Sequence, residues 1–300
     1  MKRPAAQNHG MKNVLLMQKV RQKVKTHVKP LKDLLKSVAK KWEMKRFVVR
    51  KEASGDVYVL KKVFAQNKYM CLWRKHSQAG DLAGKRVLDV GANIGAFTVR
   101  ALDDRAIVVA VEPDPENFAL LEKNAPSATL LHGAIVGTRQ RSVPMFSKQK
   151  PGQPNRNSVI KDHVNTVELC VTVPALQLKS VFSSHGPFDL VKIDIEGAEV
   201  SLFEHLQAEF DRSGKNLFTG TELLIYFHVD KFPEVYIFHR FLLQLRQMFS
   251  VVQMEPVVGE GKMIDSDWEK KVVRDPSLRF RKLPGFAAAK KDILIFCGHT

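Results

Sequence analysis

Cysteine is scarce in this 300-residue chain: Cys71, Cys170 and Cys297 are far apart, and no Cys-x-x-Cys pair occurs. That argues against a disulfide framework and against a cysteine zinc site. No apolar run approaches the ~18 residues that a membrane-spanning helix needs, and the opening MKRPAAQNHG lacks the apolar core of a secretory signal. A soluble, cytoplasmic protein is expected. Acids are nearly missing from the first quarter. Residues 1–75 hold 4 Asp and Glu against 21 Lys and Arg, whereas residues 76–300 hold 27 of each, so the whole net charge of +17 belongs to the first quarter. With 44% hydrophobic and 26% charged residues, the remainder has the composition of one or two globular domains with a sizeable core.

Within the basic quarter, Val14, Met17, Val20, Val24, Val28, Leu31, Leu35, Val38 and Trp42 recur at steps of three or four, the helical period, with Lys and Arg on the other faces. Pro30 interrupts this stripe, so two short helices or one kinked helix are expected. Residues 1–45 therefore read as a basic amphipathic extension. It either docks its stripe on the rest of the chain or meets an anionic partner, nucleic acid or a membrane surface. The lack of any acid before Asp33 also fits an organelle-targeting peptide. Alternating β-formers over Arg46–Lys51 and Asp56–Val63, around Ala53-Ser54-Gly55, predict a hairpin, followed by a helix from Phe64 to about His76. Residues 46–300 are expected to form the folded domain.

From Lys85 onward, short β-branched runs alternate with helical stretches, the pattern of a parallel sheet with helices on both faces. Seven strands are expected: 86–90, 107–111, 128–131, 190–193, 222–228, 251–255 and 292–297. Helices fall near 94–102, 115–124, 198–210 and 235–248. No helix separates the last two strands, which makes the seventh antiparallel to its neighbours. Residues 137–165 and 259–285, rich in polar and turn-forming residues, read as irregular excursions.

The first strand runs into VLDVGANIGAF, placing Asp89, Gly91, Asn93 and Gly95 at a strand-to-helix turn. Such a turn brings backbone amides and the positive end of a helix to a ligand. A dinucleotide fingerprint would need glycine at 93, where Asn stands. The turn is similar instead to the D-x-G-x-N-x-G form of the first motif of S-adenosylmethionine (SAM) methyltransferases. Glu112 ends the second strand 21 residues after Gly91, where an acid accepts hydrogen bonds from ribose hydroxyls. The fourth strand ends in VKIDIEGAE, which sets Lys192, Asp194, Glu196 and Glu199 at the carboxyl edge of the sheet, where open α/β sheets bind ligands.

Taken in order, VLDVGANIGAF, VVAVEPDPENFALLEKN, VKIDIEGAE and ELLIYFH resemble the FkbM family of SAM-dependent methyltransferases over roughly residues 85–230. The resemblance implies a class I, Rossmann-like methyltransferase fold, SAM as methyl donor, and O-methylation of a sugar or natural-product hydroxyl. It makes Asp89, Gly91, Asn93, Gly95 and Glu112 the cofactor-binding candidates. One departure stands out: the family commonly carries an acid two residues before the histidine of strand five, and here Tyr226 precedes His228. After strand three, His132-Gly133-Ala134 offers no acid for the adenine amino group.

Methylating a hydroxyl requires removal of its proton. Strands four and five are neighbours in this fold, so Asp194, Glu196 and His228 are the candidate catalytic residues, Asp194 foremost, with helix capping the competing role for both acids. Two carboxylates and an imidazole could hold a divalent metal such as Mg²⁺, but no compact metal motif is present and none is expected. Lys192 is a candidate partner for these acids, and Trp42, Trp73 and Trp268 read as packing residues. Two other functions compete. A nucleic-acid methyltransferase would use the basic arm, the loop residues Arg139, Arg141, Lys148, Lys150 and Arg156, and a Lys-Asp-Lys-Glu-like set including Asp194, Lys231 and Glu255. A non-catalytic SAM-binding interaction protein would keep only the turn and Glu112.

Overall fold

A computed structural model describes residues 45–50, 54–137, 139–147, 158–160, 169–229, 231–232, 234–256 and 292–299. The amphipathic stripe and the second excursion lie outside these residues. Residues 48–300 group as one unit. Among the described residues no helix is long and apolar enough to cross a membrane.

Seven strands form the main sheet: β1 (Arg86–Val90), β2 (Ile107–Glu112), β3 (Thr129–His132), β7 (Leu190–Ile193), β8 (Glu222–Phe227), β9 (Val251–Pro256) and β10 (Ile293–Gly298). Their order is β3-β2-β1-β7-β8-β10-β9. β1 pairs in parallel with both β2 and β7, and β10 runs antiparallel to β8 and β9. All seven expected strands are present within one or two residues, and the last is reversed as expected. The order switches direction at β1, which places a crevice at the carboxyl ends of β1 and β7.

The strands are short, apolar and β-branched because both faces are covered. On one face Leu88, Val90, Val191, Ile193, Leu223, Ile225 and Phe227 meet Phe203, Phe238 and Phe241 of two helices, α6 (Glu199–Ser213) and α7 (Val235–Met248). The opposite face carries a buried polar pair. Asp89 lies beside Lys192, and Lys192 beside Leu224, in adjacent strands. Here the cover includes α2 (Lys68–His76), whose His76 stacks on Phe296.

The expected hairpin is instead helical: α1 (Ser54–Leu60) continues into a single π-helical stretch, Lys61–Ala65. β-propensity at Val57, Tyr58 and Val59 yields to packing, because Asp56, Leu60 and Val63 recur at helical spacing and are buried. Arg50 anchors the entry by binding Asp56 through its backbone N at 2.9 Å and Nη2 at 2.6 Å. The helix expected from Phe64 is broken before α2, where Asn67 adopts a left-handed conformation (φ 48°).

The excursion at 137–165 is not wholly irregular. It contains β5 (Ser142–Ser147), which pairs with β6 (Leu169–Gln177), and β6 pairs with β4 (Ala134–Val136) in a separate three-stranded sheet. Pro174 obscures β6 in the sequence. It is tolerated because β6 pairs with β5 up to Pro174 and with β4 only from Ala175, so the missing N–H falls where the partner changes.

Candidate active site

The glycine turn follows β1 and precedes α3 (Ala96–Asp103). Gly91 and Ala92 donate their backbone N–H groups to the Val111 carbonyl at 2.9 and 3.0 Å, tying the turn to β2. Gly91 has φ 79°, and a Cβ there would collide with the Asp194 carbonyl oxygen, so only glycine lets the two strand ends come together. Asn93 is left-handed at φ 55°, a conformation asparagine tolerates better than most residues. That is how Asn stands where a dinucleotide fold has glycine.

Glu112 lies against this turn. Its Oε2 accepts from Asn93 N at 2.7 Å, and its Oε1 accepts from Asp114 N at 3.0 Å and Asn117 Nδ2 at 3.3 Å. Burial pushes its carboxyl up to about 7, against the pull of these donors. A carboxylate offers about four acceptor positions, so one remains for a hydroxyl. Glu112, Gly91 and Asn93 line one cavity together with Gly133, Ala134, Ile135 and Met145.

Asp89 does not line that cavity. It is fully buried, accepts Thr98 Oγ1 at 2.7 Å and pairs with Lys192 Nζ at 2.9 Å. Lys192 also donates to the Gly91 carbonyl at 2.7 Å, so the buried pair braces the turn from beneath. Asp89 therefore lies beneath the glycine turn, away from the cavity where a direct contact was expected. Lys192, expected to partner the acids after strand four, is buried, lines the cavity and forms its ion pair with Asp89.

Asp194, Glu196 and His228 line the other end of the same cavity. His228 Nε2 lies 3.3 Å from Asp194 Oδ1 and 3.6 Å from Glu196 Oε1, and its Nδ1 lies 3.1 Å from Glu199 Oε1. Burial disfavours the charged ring, yet Glu196 and Glu199 hold the His228 pKa well above its usual value. Both ring nitrogens of His228, one of the bases expected from the sequence, thus face carboxylates. Asp194 takes a short hydrogen bond from the Tyr69 hydroxyl on Oδ2. Burial would raise its carboxyl, but His228, Lys192, Lys68 and Tyr69 outweigh burial and keep it well below the usual range. Neither Asp194 nor Glu196 caps a helix: α6 starts at Glu199, without a side-chain cap.

Lys68, Tyr69 and Asp292 join the site without having been singled out for it, and Glu199, placed at the sheet edge by its spacing, joins it without having been given a role. Glu199 is fully buried and joins Ile195 N (3.0 Å) to His228. The acid spacing 194, 196, 199 hinted at it. Tyr69 and Lys68 come from α2, far from any motif, and nothing in the sequence marked them. Lys68 Nζ sits 3.0 Å from the centroid of the Tyr226 ring, and burial lowers its pKa well below that of an ordinary lysine. The Tyr226 hydroxyl donates to Asp292 at 2.6 Å. Asp292 also lines the cavity, so the start of β10 brings an acid next to the position where the family commonly has its own.

Residues 89–249 match the family model of the methyltransferase FkbM domain. No curated protein is matched by this sequence. Among solved structures, the chain is similar to precorrin 8W decarboxylase of Methanobacterium thermoautotrophicum, with 12% identity, TM-score 0.42, and 85% of this chain and 97% of that one covered. It is also similar to precorrin-6Y C5,15-methyltransferase of Geobacter metallireducens (10% identity, TM-score 0.38, coverage 85% and 94%). A third is a TehB-like SAM-dependent methyltransferase of Corynebacterium glutamicum (12%, TM-score 0.34, coverage 78% and 98%). With more than half of its length matched by the family model, this chain belongs to the FkbM family and is a SAM-dependent methyltransferase of the class I fold.

Proposed function

We propose that the enzyme methylates a hydroxyl group on a small molecule, a sugar or natural-product-like acceptor. The observation that carries this reading is the single cavity that joins Glu112 and the glycine turn at one end to Asp194 at the other. SAM supplies an electrophilic methyl group when bound. The remaining acceptor position of Glu112 suits a ribose hydroxyl, the turn at Gly91–Gly95 suits the methionine end, and Gly133–Ile135 with Met145 give small and apolar surfaces for the adenine.

Asp194 is the residue assigned to the acceptor. The residue lines the cavity, its Oδ2 held by Tyr69 and its Oδ1 3.3 Å from His228 Nε2. A carboxylate fixed in this way orients a hydroxyl and takes its proton. A hydroxyl oxygen that gains a methyl group becomes strongly acidic, so a carboxylate of low proton affinity suffices. His228 holds Asp194 and Glu196 in place, and Lys192 ties the Asp194 strand end to the cofactor turn. Lys231 and Glu255 do not line this cavity, and Glu255 pairs with Lys75. That disfavours the Lys-Asp-Lys-Glu reading and nucleic acid as acceptor.

The test is to incubate the enzyme and small-molecule extracts with methyl-labelled SAM and to find the labelled product by mass spectrometry. A labelled hydroxyl-bearing small molecule supports the proposal. Label found only in RNA overturns it.

A further inference from the structure

The start of α2 and the π-helical stretch before it bring two lysines, Lys68 and Lys62, into the acceptor end of the cavity. Both lie over the same ring: Lys68 Nζ is 3.0 Å from the centroid of Tyr226, and Lys62 Nζ is 5.3 Å from it. Two ammonium groups on one aromatic ring repel each other, and Lys68 is buried as well. A buried cation is costly without a partner of opposite charge, and ring faces make up only part of that cost.

The nearby acids are engaged elsewhere. The Tyr69 hydroxyl stands between Lys68 and Asp194, donating to Asp194 and accepting from Lys68 Nζ at 3.4 Å. The Tyr226 hydroxyl does the same for the other lysine, donating to Asp292 at 2.6 Å and accepting from Lys62 Nζ at 3.4 Å. Glu196 and Glu199 face His228. Among the described residues, neither lysine pairs with a carboxylate, and each uses one of its three N–H donors in a long hydrogen bond to a tyrosine. The backbone singles out the same place. Lys62 belongs to the π-helical stretch Lys61–Ala65, and single π-helical turns recur at functional sites.

We infer that the acceptor is an acid: beside the hydroxyl that is methylated it carries a carboxylate or a phosphate, which Lys68 and Lys62 bind. An anion there receives charge-assisted hydrogen bonds from the remaining donors and cancels the repulsion between the two lysines. Burial and Lys62 both lower the proton affinity of Lys68, and a bound anion opposes that, so the lysine is charged when the acceptor is in place. Tyr69 keeps the two tasks apart. The acceptor oxygen gains the methyl group and gives its proton to Asp194, while the anionic group takes no part in the bond changes. This inference rests on the hydroxyl-methylation reading above and narrows it to acidic acceptors.

A small-molecule extract, freed of polymers by ultrafiltration, is incubated with the full-length enzyme and methyl-labelled SAM. The labelled products are passed over an anion exchanger at about pH 8, where carboxylates and phosphates are charged. Label retained on the resin is expected; phosphatase treatment of the extract beforehand abolishes it for a phosphate and leaves it for a carboxylate. Labelled product that flows through overturns the inference and leaves hydroxyl methylation standing. No labelled small molecule rejects the hydroxyl-methylation reading, and the inference with it. With the unmethylated form of the retained product as substrate, Lys62→Met and Lys68→Met should each raise KM by about 10–100-fold, the loss expected for a charged hydrogen bond. Calorimetry with S-adenosylhomocysteine shows that each variant is folded, and Lys62, only partly buried, keeps the test open should Lys68→Met not fold. Unchanged KM in either folded variant overturns the inference.

Discussion

The two ends of the cavity are built in opposite ways. In the proposed reading, the part of the cavity given to the ribose and methionine of the cofactor comes from one continuous stretch, in which Gly91 N–H donates to the Val111 carbonyl and Asn93 N–H to the Glu112 carboxylate. The acceptor end is assembled from four separate segments: Lys68 and Tyr69 on α2, Asp194 to Glu199 after β7, Tyr226 and His228 on and just after β8, and Asp292 before β10. One end is backbone geometry and one acid. The other is a charged network that depends on tertiary packing. A ligand common to many enzymes can be served by local structure, whereas a particular acceptor needs side chains drawn from wherever the fold brings them.

If the ends are separable, substitutions at each should change different quantities. The largest effect is expected for Asp194→Asn: turnover of labelled SAM falls by about 10²–10⁴-fold, while affinity for S-adenosylhomocysteine stays within a few-fold. Unchanged turnover would remove Asp194 from the mechanism. Next comes Glu112→Ala, which should weaken S-adenosylhomocysteine by roughly 100-fold through loss of charged hydrogen bonds. A smaller change would place the ribose elsewhere.

The pH dependence of that affinity sharpens the same point. Burial raises the Glu112 pKa to about 7, so the group gains a proton as pH falls through 7 and loses its capacity to accept from hydroxyls. Affinity for S-adenosylhomocysteine should drop roughly 30-fold between about pH 8 and about pH 5.5, and this response should vanish in Glu112→Ala. The same shift means that the charged, buried Glu112 costs folding stability progressively as pH rises from about 4.5 to about 7. The smallest effect is expected for Tyr69→Phe. It removes one hydrogen bond to Asp194 and should lower kcat by about tenfold with cofactor affinity intact. A loss of cofactor affinity instead would mean that the two ends are mechanically coupled.

The contrast between the ends also explains what could be read in the sequence. The seven strands stood out because they are short apolar runs, the central ones buried on both faces, and the turn and Glu112 because their spacing follows from a strand, a turn and a helix in succession. Asp89 stood out too, but its place in the motif says nothing of which way it points; pairing with Lys192 decides that it braces the turn from beneath. The segment at 54–65 was misread because β-forming side chains sit there at helical spacing, and the helical burial of Leu60 and Val63 prevails. β6 was hidden by Pro174. Tyr69 and Lys68 left no local trace at all, since their roles arise only when α2 packs over β8. The Tyr226 departure from the family pattern was visible, but its consequence depended on Asp292, 66 residues away.

The most direct test is calorimetric titration of S-adenosylhomocysteine into wild-type, Glu112→Ala and Asp194→Asn proteins side by side. The account predicts wild-type-like binding by Asp194→Asn and binding weakened by roughly 100-fold in Glu112→Ala. No heat with the wild type, or binding lost in Asp194→Asn and kept in Glu112→Ala, would contradict it.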